Sequence, residues 1–134
     1  MESKTDTYGQ FERIALNKLL GMRLDHASNG VAKLSLQVRH ELKNNFDVIH
    51  GGVLMTMFDN VMSNAARSRI NFSMSVVTIN MNTSFLRPGR GELVAHARAI
   101  GGGASVCFCE SEIFDENNEI VAKAIGSFKY MKPN

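Results

Sequence analysis

The stretch Gly52-Val53-Leu54-Met55-Thr56-Met57-Phe58-Asp59-Asn60-Val61-Met62-Ser63-Asn64-Ala65-Ala66-Arg67 decides the fold. Val53, Leu54, Met57, Phe58, Val61, Met62, Ala65 and Ala66 recur at the helical period and form a wide apolar surface. This predicts the longest helix of the chain, and its core helix. Thr56, Asn60, Ser63 and Arg67 share a polar stripe, with Asp59 about 60° to one side of it at 3.6 residues per turn.

Beyond Ser73 the period changes to two. Val77, Ile79, Met81 and Phe85 alternate with Thr78, Asn80, Asn82 and Ser84 up to a turn at Arg87-Pro88-Gly89. If the apolar set faces the helix, Thr78 points away from Asp59. In the next strand Leu93, Ala95, Ala97 and Ala99 face one way and Glu92, His96 and Arg98 the other, before Gly101-Gly102-Gly103 breaks the chain. Residues 104 to 114 and 119 to 131 read as a hairpin across Asp115-Glu116-Asn117-Asn118, with Ile120, Ala122, Ala124, Gly126 and Phe128 on one face. Faces of Ala and Gly leave room for a helix carrying Leu, Met and Phe, since large and small must alternate to reach native packing density.

Upstream, residues 22 to 28 and 31 to 39 form a second hairpin around Asn29-Gly30, a pair that favours a type I′ turn. Phe11, Ile14, Ala15, Lys18 and Leu19 are spaced as a short amphipathic helix that Gly21 ends, and residues 1 to 9 are a polar tail. The order of helix, two strands, long helix and four strands is α+β, an antiparallel sheet with one helix held against it. Residues 1–20 are read as tail and short helix, and residues 21–134 as the domain.

Composition narrows the function. Of 134 residues, 44% are hydrophobic, enough for one self-sufficient core. Fifteen Lys and Arg against thirteen Asp and Glu leave a net charge of +2 with no basic run, so no nucleic-acid surface is indicated. Apolar runs such as Val53-Leu54-Met55 fall far short of the roughly 20 residues that span a bilayer. No membrane partner is expected, and the expected location is the cytoplasm. Cys107 and Cys109 point to the same face of one strand, which disfavours a disulfide between them and suits buried packing. His26, His40, His50 and His96 are scattered singly, so no metal site is read.

The chemistry concentrates in Asn44-Asn45-Phe46-Asp47-Val48-Ile49-His50-Gly51-Gly52-Val53, followed nine residues after the histidine by Asp59. Two glycines at a helix start either permit a sharp turn or let a ligand approach the unpaired first-turn amides, which attract negative charge. Asp59 is either a carboxylate at the edge of a solvated stripe or a general base or nucleophile against an apolar wall. Arg87 and Arg90 are either solvated turn residues or phosphate ligands. Met55, Met57 and Met62 are either core or the lining of an adaptable apolar pocket.

The string His50-Gly51-Gly52-Val53 with Asp59, then Thr78-Ile79-Asn80-Met81-Asn82 and Phe85-Leu86-Arg87-Pro88, resembles the PaaI-like branch of the hotdog-fold acyl-CoA thioesterases, in the 4-hydroxybenzoyl-CoA thioesterase-like superfamily. The likeness extends over about residues 20 to 131. It implies a long central helix wrapped by an antiparallel sheet, hydrolysis of acyl-CoA or aroyl-CoA thioesters without metal or cofactor, and an oligomer of at least two chains, dimer or tetramer. By position, Asp59 matches the acidic residue that activates water or attacks the carbonyl, and the Gly51 amide matches the carbonyl-polarising donor. Asn44 falls where some members carry an asparagine that assists the same oxygen. His50 would support the site or face the ligand. Thr78 falls where a related subgroup has a water-positioning hydroxyl, against the strand parity above. Arg87 and Arg90 would meet the phosphates of coenzyme A. The alternative is a hotdog domain that binds acyl-CoA or another acyl ligand without turnover; a dehydratase would require a catalytic His with an acid partner.

Gly51 and Asp59 are eight residues apart, about 12 Å along one helix. A single carbonyl cannot span that distance. If both act on one substrate, Gly51 of one chain meets Asp59 of another, as a two-fold dimer allows.

Overall fold

A computed structural model describes residues 11–132. The tail expected at residues 1–9 lies outside the described residues. In chain order the structure has helix α1 (Ala15–Leu20), strands β1 (Arg23–Ser28) and β2 (Val31–Gln37), a 3-10 turn at His40–Leu42, and helix α2 (Gly51–Arg69). Strands β3 (Ser75–Phe85), β4 (Glu92–Gly102), β5 (Val106–Phe114) and β6 (Ile120–Met131) follow. The six strands form one antiparallel sheet in the order β1-β2-β4-β5-β6-β3. Helix α2 lies against this sheet and touches every strand. This is the hotdog arrangement.

The turn between β1 and β2 has positive φ at both Asn29 (52°) and Gly30 (81°), as a type I′ turn requires. The apolar face of α2 is the centre of the core: Met57, Phe58, Val61, Met62, Ala65 and Ala66 are fully buried. Each of the larger side chains contributes about 1.5–3 kcal/mol by leaving water. Opposite them lie Ala95 and Ala97 of β4 and Ala122 and Ala124 of β6, all buried. A Cβ on Gly126 would stand 3.1 Å from Met62 Cε and 2.9 Å from the Phe128 ring. The small residues of the sheet therefore make room for the large residues of the helix. Met57 and Met62 are core, whereas Met55 is 40% exposed.

The structure corrects three local expectations. The spacing of Phe11, Ile14 and Leu19 does not mark one buried stripe: Phe11 and Asn17 are buried, while Ile14 and Leu19 are exposed. Asn17 is held by donating from Nδ2 to the Phe11 carbonyl at 3.1 Å, and Arg39 donates to the Leu19 and Leu20 carbonyls, so polar contacts anchor this segment. The glycine run does not break β4 at Gly101. The strand continues through Gly102 across a register shift between Ala99 and Gly101.

The third correction concerns β3. Its register with β6 shifts between Thr78 and Asn80, a β-bulge that leaves Ile79 without a cross-strand partner. Val76 and Thr78 pair with Tyr130 and Phe128, whose side chains are buried, so before the bulge the even residues share the helix side. After it, Met81 and Phe85 do. Val77 and Ile79, expected to face the helix, are 50% and 53% exposed. One extra residue has exchanged the two faces of the strand.

Candidate active site

Helix α2 begins at Gly51 with His50 as N-cap, in extended backbone (φ −67°, ψ 135°). The Gly52 amide donates to His50 Nδ1 at 2.8 Å. That contact explains the second glycine, because a Cβ on Gly52 would crowd the imidazole at 3.1–3.2 Å. The His50 carbonyl takes the amides of Val53 and Leu54. The Gly51 amide has no acceptor among the described residues. It sits where a Cβ would touch the Phe85 ring at 3.4 Å, so glycine keeps the approach to this first-turn N–H narrow and unblocked. His50 is thus a cap that leaves one amide over.

The loop before the helix is built around Asn44. Its Oδ1 accepts from the amides of Phe46 (2.9 Å) and Val48 (3.4 Å), and its own amide donates to the Val48 carbonyl. With the oxygen committed to the loop, the Nδ2 group is the hydrogen-bonding end left to a ligand. Lys43 pairs with Asp47 at 3.0 Å. The hydrogen bond and charge of Lys43, with smaller help from Arg90 and His40, hold the Asp47 carboxyl below the usual carboxylate range.

Asp59 lies two turns farther along α2, half-buried. Its Oδ1 accepts a 2.5 Å hydrogen bond from the Thr78 hydroxyl. This is the consequence of the bulge: the parity that would have turned Thr78 away from Asp59 is reversed at Ile79. The structure therefore brings Asp59 and Thr78 together. It does not bring Gly51 to them within one chain, since Gly51 meets Phe85 at the other end of β3.

The two arginines differ. Arg87 donates to the Ile120 carbonyl at 2.9 Å and lies 3.5 Å from Glu119, which ties it to the β5–β6 hairpin. Arg90 is exposed and close enough to act on Asp47. No group of three or more His, Cys, Asp or Glu comes together among the described residues in a way that could hold a metal. Cys107 and Cys109 are buried free thiols with sulfurs 3.9 Å apart, and Cys109 donates toward the Met62 carbonyl. No helix among the described residues is long and apolar enough to cross a membrane.

Two features escaped the sequence reading. One is the capping role of His50. The other is the bulge, whose signal is the run Val76-Val77-Thr78-Ile79: four consecutive β-branched residues carry no alternation and so cannot fix which face is inward.

Residues 46–122, from the loop after Asn44 through the first residues of β6, match the family described as the thioesterase superfamily. The chain belongs to that superfamily. Among relatives of this thioesterase-superfamily chain, an esterase candidate of Halobacterium salinarum is 29% identical, covering 98% of this chain and 91% of its own length. The medium/long-chain acyl-CoA thioesterase YigI of Escherichia coli is 24% identical over 84% of this chain and 83% of its own. Among solved structures, the E. coli PaaI protein superposes with a TM-score of 0.89 at 23% identity, covering 98% and 94% of the two chains, and so shares the fold. As a thioesterase-superfamily hotdog protein, the chain is a hydrolase by family.

Proposed function

We propose that this protein hydrolyses acyl-CoA thioesters to a free carboxylic acid and coenzyme A. The observation that carries the reading is the Thr78–Asp59 hydrogen bond. A carboxylate fixed through Oδ1 presents Oδ2 in a set direction, as a group that takes a proton from water or attacks a carbonyl needs. In the water route, Asp59 accepts a proton as the oxygen bonds to the thioester carbon, and the carbonyl oxygen gains negative charge. The Gly51 amide, with Asn44 Nδ2, donates to that oxygen. The intermediate collapses by breaking the C–S bond, and the thiolate of coenzyme A receives the proton. In the attack route Asp59 bonds to the thioester carbon as the C–S bond breaks and the coenzyme A thiolate leaves, and water then opens the mixed anhydride, releasing the acid, regenerating the Asp59 carboxylate and supplying the proton that the thiolate takes.

Because Gly51 and Asp59 are separated by about two turns of one helix, the complete site takes Gly51 from a second copy. The β3 strand supports this pairing. It is an eleven-residue edge strand with Val77, Ile79 and Phe85 about half exposed, a kind of edge that proteins normally cover. Arg90, exposed and near the Lys43–Asp47 pair, serves the phosphates of coenzyme A, with Arg87 reaching them only by leaving Glu119.

The test is thiol release from a panel of acyl-CoA esters by wild type and Asp59→Asn. Turnover that falls roughly a hundredfold or more in the variant fits loss of a general base. Tight binding of the esters without turnover by wild type would instead favour a domain that only binds them.

A further inference from the structure

Gly51, Met55 and Asp59 stand at i, i+4 and i+8 on α2 and so form one row along its surface. Gly51 and Asp59, at the ends of the row, are partly buried, whereas Met55 at its centre is 40% exposed. Met55 is the one exposed large apolar residue of this helix, whose outward side otherwise carries Thr56, Asn60, Ser63 and Arg67. Single exposed apolar side chains are ordinary, so exposure alone assigns nothing. What assigns Met55 is its position between the two groups of the proposed site.

In the shared site proposed above, Gly51 of each copy stands across one carbonyl from Asp59 of the other. Met55 is the midpoint of these two residues in the chain. Under a two-fold axis, the midpoints of two equivalent segments are no farther apart than one end of the first is from the opposite end of the second. In an ideal helix the Met55 Cα lies within about 1 Å of the true midpoint, so the bound carries over to the two methionines. Donor and carboxylate each approach the reacting group to about 3 Å, which puts Gly51 of one copy and Asp59 of the other about 10 Å apart at Cα. Two methionine side chains span a gap of that size, and their flexible thioethers adapt to each other's shape. Strand β3 falls into the same symmetry. Thr78 is bonded to Asp59 and Phe85 stands beside Gly51, so β3 runs along the row in the reverse sense, with its centre near Met55. Its half-exposed edge then meets the second copy across the same axis.

We infer that a second copy of this chain docks on the row Gly51–Met55–Asp59, with the Met55 side chains of the two copies packed against each other on the two-fold axis. The inference rests on the shared-site reading above. It makes Met55 a contact between chains that stands between the two sites of the pair.

Met55→Cys and Ser63→Cys, each treated with a short bis-maleimide, test this. Met55→Cys is expected to give a covalent dimer on a denaturing gel. Ser63→Cys, two turns farther along the helix and away from the axis, is expected to give none, as is wild type, whose two cysteines are buried. Charge supplies a second measurement, because a residue on the axis always faces its own copy. Met55→Lys and Met55→Asp should each weaken the dimer about tenfold or more, read by native mass spectrometry on dilution, whereas a mixture of the two should form a mixed dimer about as stable as wild type. Absent linkage of Met55→Cys in a protein shown to be dimeric, equal linkage of Ser63→Cys, or a wild type that stays monomeric would overturn the inference. So would Lys and Asp variants that dimerise as well as wild type does. Thiol release from acyl-CoA esters by wild type keeps the two readings separate: turnover without linkage refutes the Met55 contact and leaves the hydrolase, and linkage without turnover upholds the contact and refutes the hydrolase.

Discussion

Replacing Thr78 with Val removes one hydroxyl from the hydrogen bond that aims Asp59 and changes little else in shape. The bond lost is 2.5 Å long and made to a carboxylate. Hydrogen bonds to charged groups contribute about 1.5–3 kcal/mol, and the exposed position of Thr78 lets water replace part of that, which places the effect near the lower bound. An interaction of 1.4 kcal/mol corresponds to about tenfold in rate when it is made fully only in the transition state. We therefore expect Thr78→Val to lower kcat about tenfold with KM little changed, and Thr78→Ser, which keeps the hydroxyl, to restore most of it. The assay is steady-state thiol release, with thermal melts of both variants to show that the fold persists. A Thr78→Val variant within twofold of wild type, properly folded, would refute the view that this bond positions the proposed catalytic carboxylate.

Mixed refolding of Asp59→Asn with an inactive Gly51 variant should restore roughly a quarter of wild-type activity per chain, because half of random dimers are mixed and each then holds one intact site; absence of recovery with mixing shown by native mass spectrometry would refute the shared site. Both cysteines should resist thiol reagents in the native protein and react after unfolding, since burial and the neighbouring Cys107 push the Cys109 thiol up and disfavour its thiolate. Burial, with the charge of Lys33, lowers the pKa of His96, so the unfolded chain takes up its proton first as pH falls. Stability should drop as pH falls through the ordinary imidazole range near 6.5 and level off below the folded value, and thermal melts of His96→Gln across that window should show a shallower loss.

The sequence carried the fold at the points where its periodicity was unambiguous. The apolar face of α2 and the Ala and Gly positions beneath it are two halves of one packing requirement, and both are visible in the order of residues. Asn29-Gly30 leaves little choice of turn. The site was half legible. Asp59, Gly51 and His50 sit at positions fixed by helix start and helix period, so their separation of about 12 Å could be worked out without coordinates. Thr78 could not be placed, because its direction depends on a bulge in a run of β-branched residues, and bulges arise from the fit of two strands. Local pattern on β3 alone holds no information about β6.

The choice of cap at His50 follows the same economy as the site it borders. A helix start favours an acceptor at the N-cap, and Asp would serve well for stability alone. A carboxylate there would place a full negative charge against the amide that the proposed chemistry needs for a developing oxyanion. Imidazole accepting through Nδ1 carries its proton on Nε2 and is neutral, so it satisfies the Gly52 amide without cancelling the positive end of α2. The cap also closes the second amide and leaves the first, which narrows the donor to one direction beside Phe85. The same helix places its acidic group at Asp59, two turns away, where the macrodipole has faded and a negative charge no longer competes with the oxyanion of its own chain. Donor and carboxylate are thereby kept electrostatically apart within each chain, and in the proposed mechanism a second copy brings them to the two sides of one carbonyl.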